Sequence, residues 1–67
     1  MIKLSQNGED FLIEERCVCG SSKLRFSLVY FAVVCDECYL RTSACDSNRY
    51  ACIMWNKQMK ILKRRSG

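Results

Sequence analysis

Cys17-Val18-Cys19-Gly20 and Cys35-Asp36-Glu37-Cys38 set two close cysteine pairs on either side of an apolar run. Thiolate sulfur is a soft donor, and four thiolates converging from two tight bends make the tetrahedral cage that Zn²⁺ takes in structural sites. The second pair has the full C-x-x-C spacing of a zinc knuckle. The first is a C-x-C, one residue short, and is followed by Gly20, whose missing Cβ lets the backbone turn closely under a sulfur. Cys17, Cys19, Cys35 and Cys38 are therefore the expected ligands of one Zn²⁺ per chain. An alternative stays open, in which Cys17 is a bystander and Cys45 or Cys52 completes the set. Cys52 falls beside the apolar face of a helical segment, the setting of a small buried hydrophobe. Cys45 stands just before that segment, where it could be structural, reactive or a ligand.

Catalytic chemistry finds little support. The chain has no histidine, so neither a Cys–His dyad nor a Cys₂His catalytic zinc can form. A zinc filled by four thiolates keeps no open position for water or substrate. The carboxylates are scattered over turns and caps, and the expectation is a protein that is not an enzyme.

Length sets the need for a metal. A chain of 67 residues makes one domain, and a domain of that size buries only roughly 60% of its unfolded surface. Such scaffolds usually need disulfides or a metal to hold them. The first seventeen residues contain Glu9, Asp10, Glu14 and Glu15 and no unbroken apolar stretch, unlike a signal peptide. The longest apolar run, Leu28–Cys35, falls far short of the ~20 residues that cross a bilayer. The expected setting is a cytoplasm, with no membrane partner, where thiols stay reduced and cysteine clusters hold metal in preference to pairing as disulfides.

The elements that must carry these cysteines can be read from pattern. Asn7-Gly8 marks a type I′ hairpin turn, since both central positions need positive φ. That register places Leu4 opposite Phe11 and Ile2 opposite Ile13; the competing reading makes 9–16 a short helix. Lys23–Val34 reads as two strands, with Leu24, Phe26 and Leu28 alternating against Arg25 and Ser27, and with the bend near 27–30. Residues 39–45 suit a short, edge-like third strand. Asp46 or Ser47 can cap a helix through the amides of its first turn. In that helix Ala51, Met54, Trp55, Gln58, Ile61 and Leu62 share an apolar face, and Arg49, Lys57, Lys60, Lys63 and Arg64 lie opposite. The whole is a small α+β chain: a zinc ribbon, made of a β-hairpin and a short third strand, followed by one C-terminal amphipathic helix. Residues 1–15 form an N-terminal hairpin or extension, 16–45 the ribbon, and 46–65 the helix with its basic tail.

These residues together resemble the Lar-like restriction-alleviation family of small phage and prophage zinc-ribbon proteins. That pattern runs C-P-x-C-G-S, a hairpin, V-x-C-x-x-C, a short strand, and a helix with an alanine and a closing Trp-Asn. Cys19, Gly20 and Ser21 match the first block, Cys35 and Cys38 the second, and Ala51, Trp55 and Asn56 the third, over residues 16–58. Two departures stand out: the first knuckle lacks its proline and one residue, and Tyr39 replaces the glycine that usually follows the second. The resemblance implies a phage-encoded module that acts in the host bacterial cytoplasm on a host protein, with type I restriction as its setting.

Charge and hydropathy suggest two modes of binding. The run from Leu28 to Cys35 exceeds what one helix can cover, so that residues among Val29, Phe31 and Val33 face outward and meet a host protein, a second copy of the chain, or the N-terminal hairpin. Residues 1–15 carry net −3 and residues 47–67 net +6. Arg49, Lys57, Lys60, Lys63, Arg64 and Arg65 could therefore track nucleic-acid phosphates, against the ordinary alternative of a solvated helix face. Trp55 lies on the apolar stripe and reads as a core anchor.

Overall fold

The computed structural model describes residues 2–66, the last of them through its backbone alone. Strand β1 (Ile2–Gln6) turns at Asn7-Gly8 into β2 (Glu9–Ile13). Both turn residues have positive φ, 54° and 79°, as a type I′ turn demands. The register pairs Leu4 with Phe11 and Ile2 with Ile13. Side chains alternate across a strand, so one face of this hairpin collects apolar residues, and the helical reading of 9–16 falls.

A second antiparallel pair forms the ribbon. Strand β3 (Leu24–Phe26) meets β4 (Val33–Cys35), with Leu24 opposite Cys35 and Phe26 opposite Val33. Leu24 and Phe26 are buried with Arg25 exposed between them. The strand stops there: the Ser27 amide donates to the Ala32 carbonyl at 2.8 Å and closes a loop. Leu28 therefore lies in that loop, 92% exposed, and does not extend the alternation expected of it.

The third segment runs along β4 as two isolated bridges, Val34 to Arg41 and Phe31 to Cys45. Cys35 N donates to Leu40 O, Thr42 N to Val33 O, and Val33 N to the buried Thr42 Oγ1. This edge is stitched at intervals by main chain and one hydroxyl.

Helix α1 (Asn48–Ser66) starts where the Ser47 hydroxyl accepts from the Tyr50 amide at 3.2 Å, which satisfies one otherwise orphaned donor of the first turn. Its buried positions are Ala51, Cys52, Trp55 and Met59, with Leu62 packed beside them. This stripe is rotated from the expected one. Met59 and Cys52 lie inside, Met54 and Gln58 are half-buried, and Ile61 is exposed. The rotation follows from what lies against the helix: β2 and β4 supply its apolar wall, and Ile61 is on the side turned away from it. Between the layers Phe11 meets Phe26 edge to face, ring centroids 5.2 Å apart, a favoured aromatic geometry.

Candidate metal centre

The two bends of the ribbon bring four sulfurs together. Cys17, Cys19, Cys35 and Cys38 each place Sγ within 4.8 Å of the others, and no other such cluster occurs among the described residues. Cys17 Sγ lies 3.4 Å from Cys38 Sγ, and Cys19 Sγ 3.7 Å from Cys35 Sγ. In a tetrahedron with Zn–S near 2.3 Å, neighbouring sulfurs sit about 3.8 Å apart. The spacing thus fits a metal and exceeds the ~2.05 Å of a disulfide. The four cysteines can hold a metal ion, and four thiolates are a donor set that suits zinc.

Local chain geometry explains why a C-x-C suffices. The Gly20 amide donates to the Cys17 carbonyl at 2.9 Å, and the Cys17 amide to the Ser21 carbonyl at 3.2 Å. Gly20 takes φ 93°, so the turn closes one residue early with its sulfurs still inward. In the second bend the Glu37 amide donates to Cys35 Sγ at 3.4 Å, and the Tyr39 amide to the Cys35 carbonyl at 3.0 Å. Tyr39 has φ 63°. The left-handed backbone that a glycine would occupy is thus kept by a tyrosine, although a side chain there costs about 1–2 kcal/mol.

Burial splits the four thiols. Cys17 and Cys35 are buried, whereas Cys19 and Cys38 are exposed. Burial pushes the Cys17 thiol up to about 12, with the Cys19 amide only partly opposing it. Burial also raises Cys35, but the Cys38 and Glu37 amides and the Cys17 and Cys19 thiols outweigh it and bring it down to about 7. A cation entering the cage would displace the remaining protons, because the ligand is the thiolate.

Trp55 and Asn56 prove to be the residues that aim the first bend. Trp55, fully buried, donates Nε1–H to the Glu15 carbonyl at 3.0 Å. Asn56 Oδ1 accepts from the Glu14 and Glu15 amides at 3.1 and 3.2 Å. Adjacent helix residues thus grip the two residues that lead into Arg16 and Cys17. The sequence marks the Trp-Asn pair but gives no sign of what it holds, since its partners are main-chain groups some forty residues away.

The remaining cysteines lie elsewhere. Cys45 is half-buried and donates its thiol to the Ser43 carbonyl at 3.2 Å. Cys52 packs in the core, where burial lifts its thiol to about 11.

The helix cations divide into two groups. Arg49 pairs with Glu9, Lys60 with Glu14 and Lys63 with Glu15, at 3.7, 3.8 and 3.2 Å. Three acids of the start therefore pair with three of the six cations of residues 47–67 across the helix–hairpin seam. Lys57, Arg64 and Arg65 are exposed with no acidic partner among the described residues. Of the apolar run, Val33 is fully buried, while Val29 is 86% and Phe31 48% exposed. The hairpin leaves Leu28 and Val29 uncovered. No helix is long and apolar enough to cross a membrane. Compared with family models, curated proteins and solved structures, the chain matches none.

Proposed function

We propose that this chain is a non-catalytic zinc-ribbon module that binds and modulates a host protein in the bacterial cytoplasm, as its resemblance to the Lar-like proteins suggests, with restriction or another defence system as the setting. One Zn²⁺ held by Cys17, Cys19, Cys35 and Cys38 would brace the two bends and offer substrate no open position. The observation that carries the reading is the loop between them. Leu28 and Val29 stand almost wholly in water at its tip, with Phe31 half-exposed beside them. Arg41 is stacked 5.6 Å from the centre of the Tyr30 ring at its base. A contiguous apolar tip on a braced hairpin is a surface that a partner can cover.

The test uses zinc-loaded protein. Elemental analysis is expected to return one zinc per chain, and the chain should retain a host restriction enzyme from lysate. Changing Val29 and Phe31 together to serine should abolish that retention. Retention indifferent to the double change would sink the reading, as would a metal-free protein that folds cooperatively.

Nucleic-acid binding is the second reading, favoured by the unpaired Lys57, Arg64 and Arg65. It is weakened by the carboxylates beside Arg49, Lys60 and Lys63, which repel phosphate. Tight binding to DNA or RNA at low salt, falling steeply as salt rises, would put it first.

A further inference from the structure

Three bands run along α1. Ala51, Cys52, Trp55 and Met59 face the core, and Arg49, Lys60 and Lys63 lie toward the hairpin acids. Tyr50, Ile53, Lys57, Ile61 and Arg64 make the third. They advance by three or four residues at each step and so keep to one side of the helix. Tyr50, Ile53 and Ile61 are each about half-exposed, at 50%, 47% and 55%. Lys57 and Arg64 are exposed beside them, with no acid in reach among the described residues. This face interleaves three large apolar groups with two cations that no acid compensates among the described residues.

Charge complementarity selects what would cover it. A second copy packed antiparallel would set Ile53 against Ile61 but would place Lys57 against its own mate on the two-fold axis. Parallel packing would stack every cation on itself, and like charges so placed are destabilising. A bilayer surface suits a helix whose cations flank a separate apolar side, whereas here Lys57 sits between the two isoleucines and Arg64 follows Ile61 on the same side. Nucleic acid would satisfy Lys57 and Arg64 but leave Ile53 and Ile61 uncovered. An amphipathic helix with apolar residues in register and acids beside them satisfies both kinds of group.

We propose that the outward face of α1, formed by Tyr50, Ile53, Lys57, Ile61 and Arg64, docks an acidic amphipathic helix of a partner protein. This rests on reading the chain as a protein-binding module and adds a surface separate from the Leu28–Phe31 loop.

The experiment measures fluorescence anisotropy of two labelled helical peptides on the zinc-loaded chain. One carries leucines at heptad core positions with glutamates beside them; the other has lysine for every glutamate. The acidic peptide should bind saturably and the basic one should not. Lys57→Glu with Arg64→Glu should weaken the acidic peptide by about tenfold or more and admit the basic one. Ile53→Ser with Ile61→Ser should weaken it at unchanged helical circular dichroism. Val29→Ser with Phe31→Ser should leave it unaltered. If only the loop variant loses the peptide, the loop is the docking site: the functional reading stands and this inference falls. No binding of the acidic peptide, equal binding of both peptides, or tighter binding to duplex DNA or phosphatidylglycerol vesicles than to the acidic peptide would each overturn it.

Discussion

The ribbon and the hairpin–helix layer are held together by different physics. In the ribbon, strands of three residues flank loops in which Leu28, Val29 and Tyr39 remain exposed. The hairpin–helix layer pairs five-residue strands with a nineteen-residue helix and buries Ile13, Trp55 and Met59 completely. Each such side chain contributes about 1.5–3 kcal/mol on burial. The ribbon adds Leu24, Phe26 and Val33 to that same core, and its two bends bring together the four sulfurs that can hold a metal ion. The lesson is that a small domain can set a sulfur cluster at the edge of one shared core, with the Phe11–Phe26 contact and the hydrogen bonds of Trp55 and Asn56 joining the two regions.

The sharpest way to break this contrast is to remove a sulfur. Cys35→Ser, or a strong chelator, should cost the ribbon most of its order, since metal binding in zinc fingers is worth about 10–16 kcal/mol. Hydrogen exchange should then show protection lost first at Leu24–Phe26 and Val33–Cys35, ahead of the helix. Cys45→Ser should keep the metal; equal loss from both variants would end the assignment.

The junction comes next. Trp55→Ala should destabilise the protein by about 3–5 kcal/mol, measured by urea unfolding. Asn56→Ala, which leaves the Glu14 and Glu15 amides unpartnered, should cost about 1–3 kcal/mol. It should also weaken metal affinity in a competition titration, because the segment entering Cys17 is released. Loss of stability with affinity unchanged would separate the two regions and refute the joining role.

Alkali tests the burial side alone. The Cys52 thiol is raised from 9.0 to about 11 by burial, so the fold favours its neutral form. That contribution is complete below pH 9 and is lost as pH climbs through about 11, an effect of roughly 3 kcal/mol. Urea midpoints across this range should fall for the native chain and fall less for Cys52→Ala.

The smallest effect concerns the second bend. Tyr39→Gly relieves a left-handed side chain and should stabilise the metal-loaded protein by about 1 kcal/mol, a rise in Tm of about 4–8 °C for a domain this size. A fall would show that the exposed ring makes contacts worth more than its strain.

Much of this architecture was legible locally. The Asn7-Gly8 turn fixed the register of β1 against β2, and Ser47 capped α1 as its hydroxyl and position suggest. Short spacings kept the cysteines of each pair together, whereas the meeting of the two pairs, 16 and 21 residues apart, and the place of Cys17 in the cluster over Cys45 or Cys52 came from the fold. Less legible was the phase of the helix: Ile61 and Met59 are both apolar, and only the placement of β2 and β4 against α1 decides which is buried. Leu28 was misread for a similar reason, since a hydrogen bond between Ser27 and Ala32 ends the strand before it.

What the sequence determined by itself is therefore chemistry at close range: which residues turn, which cap, and which cysteines come in close pairs. The tertiary structure alone decided the pairings across long separations. Glu9, Glu14 and Glu15 reach Arg49, Lys60 and Lys63, and Trp55 and Asn56 hold the approach to Cys17. Those contacts depend on how two layers are oriented, and that orientation comes from the summed burial of many side chains, which no single stretch of chain encodes.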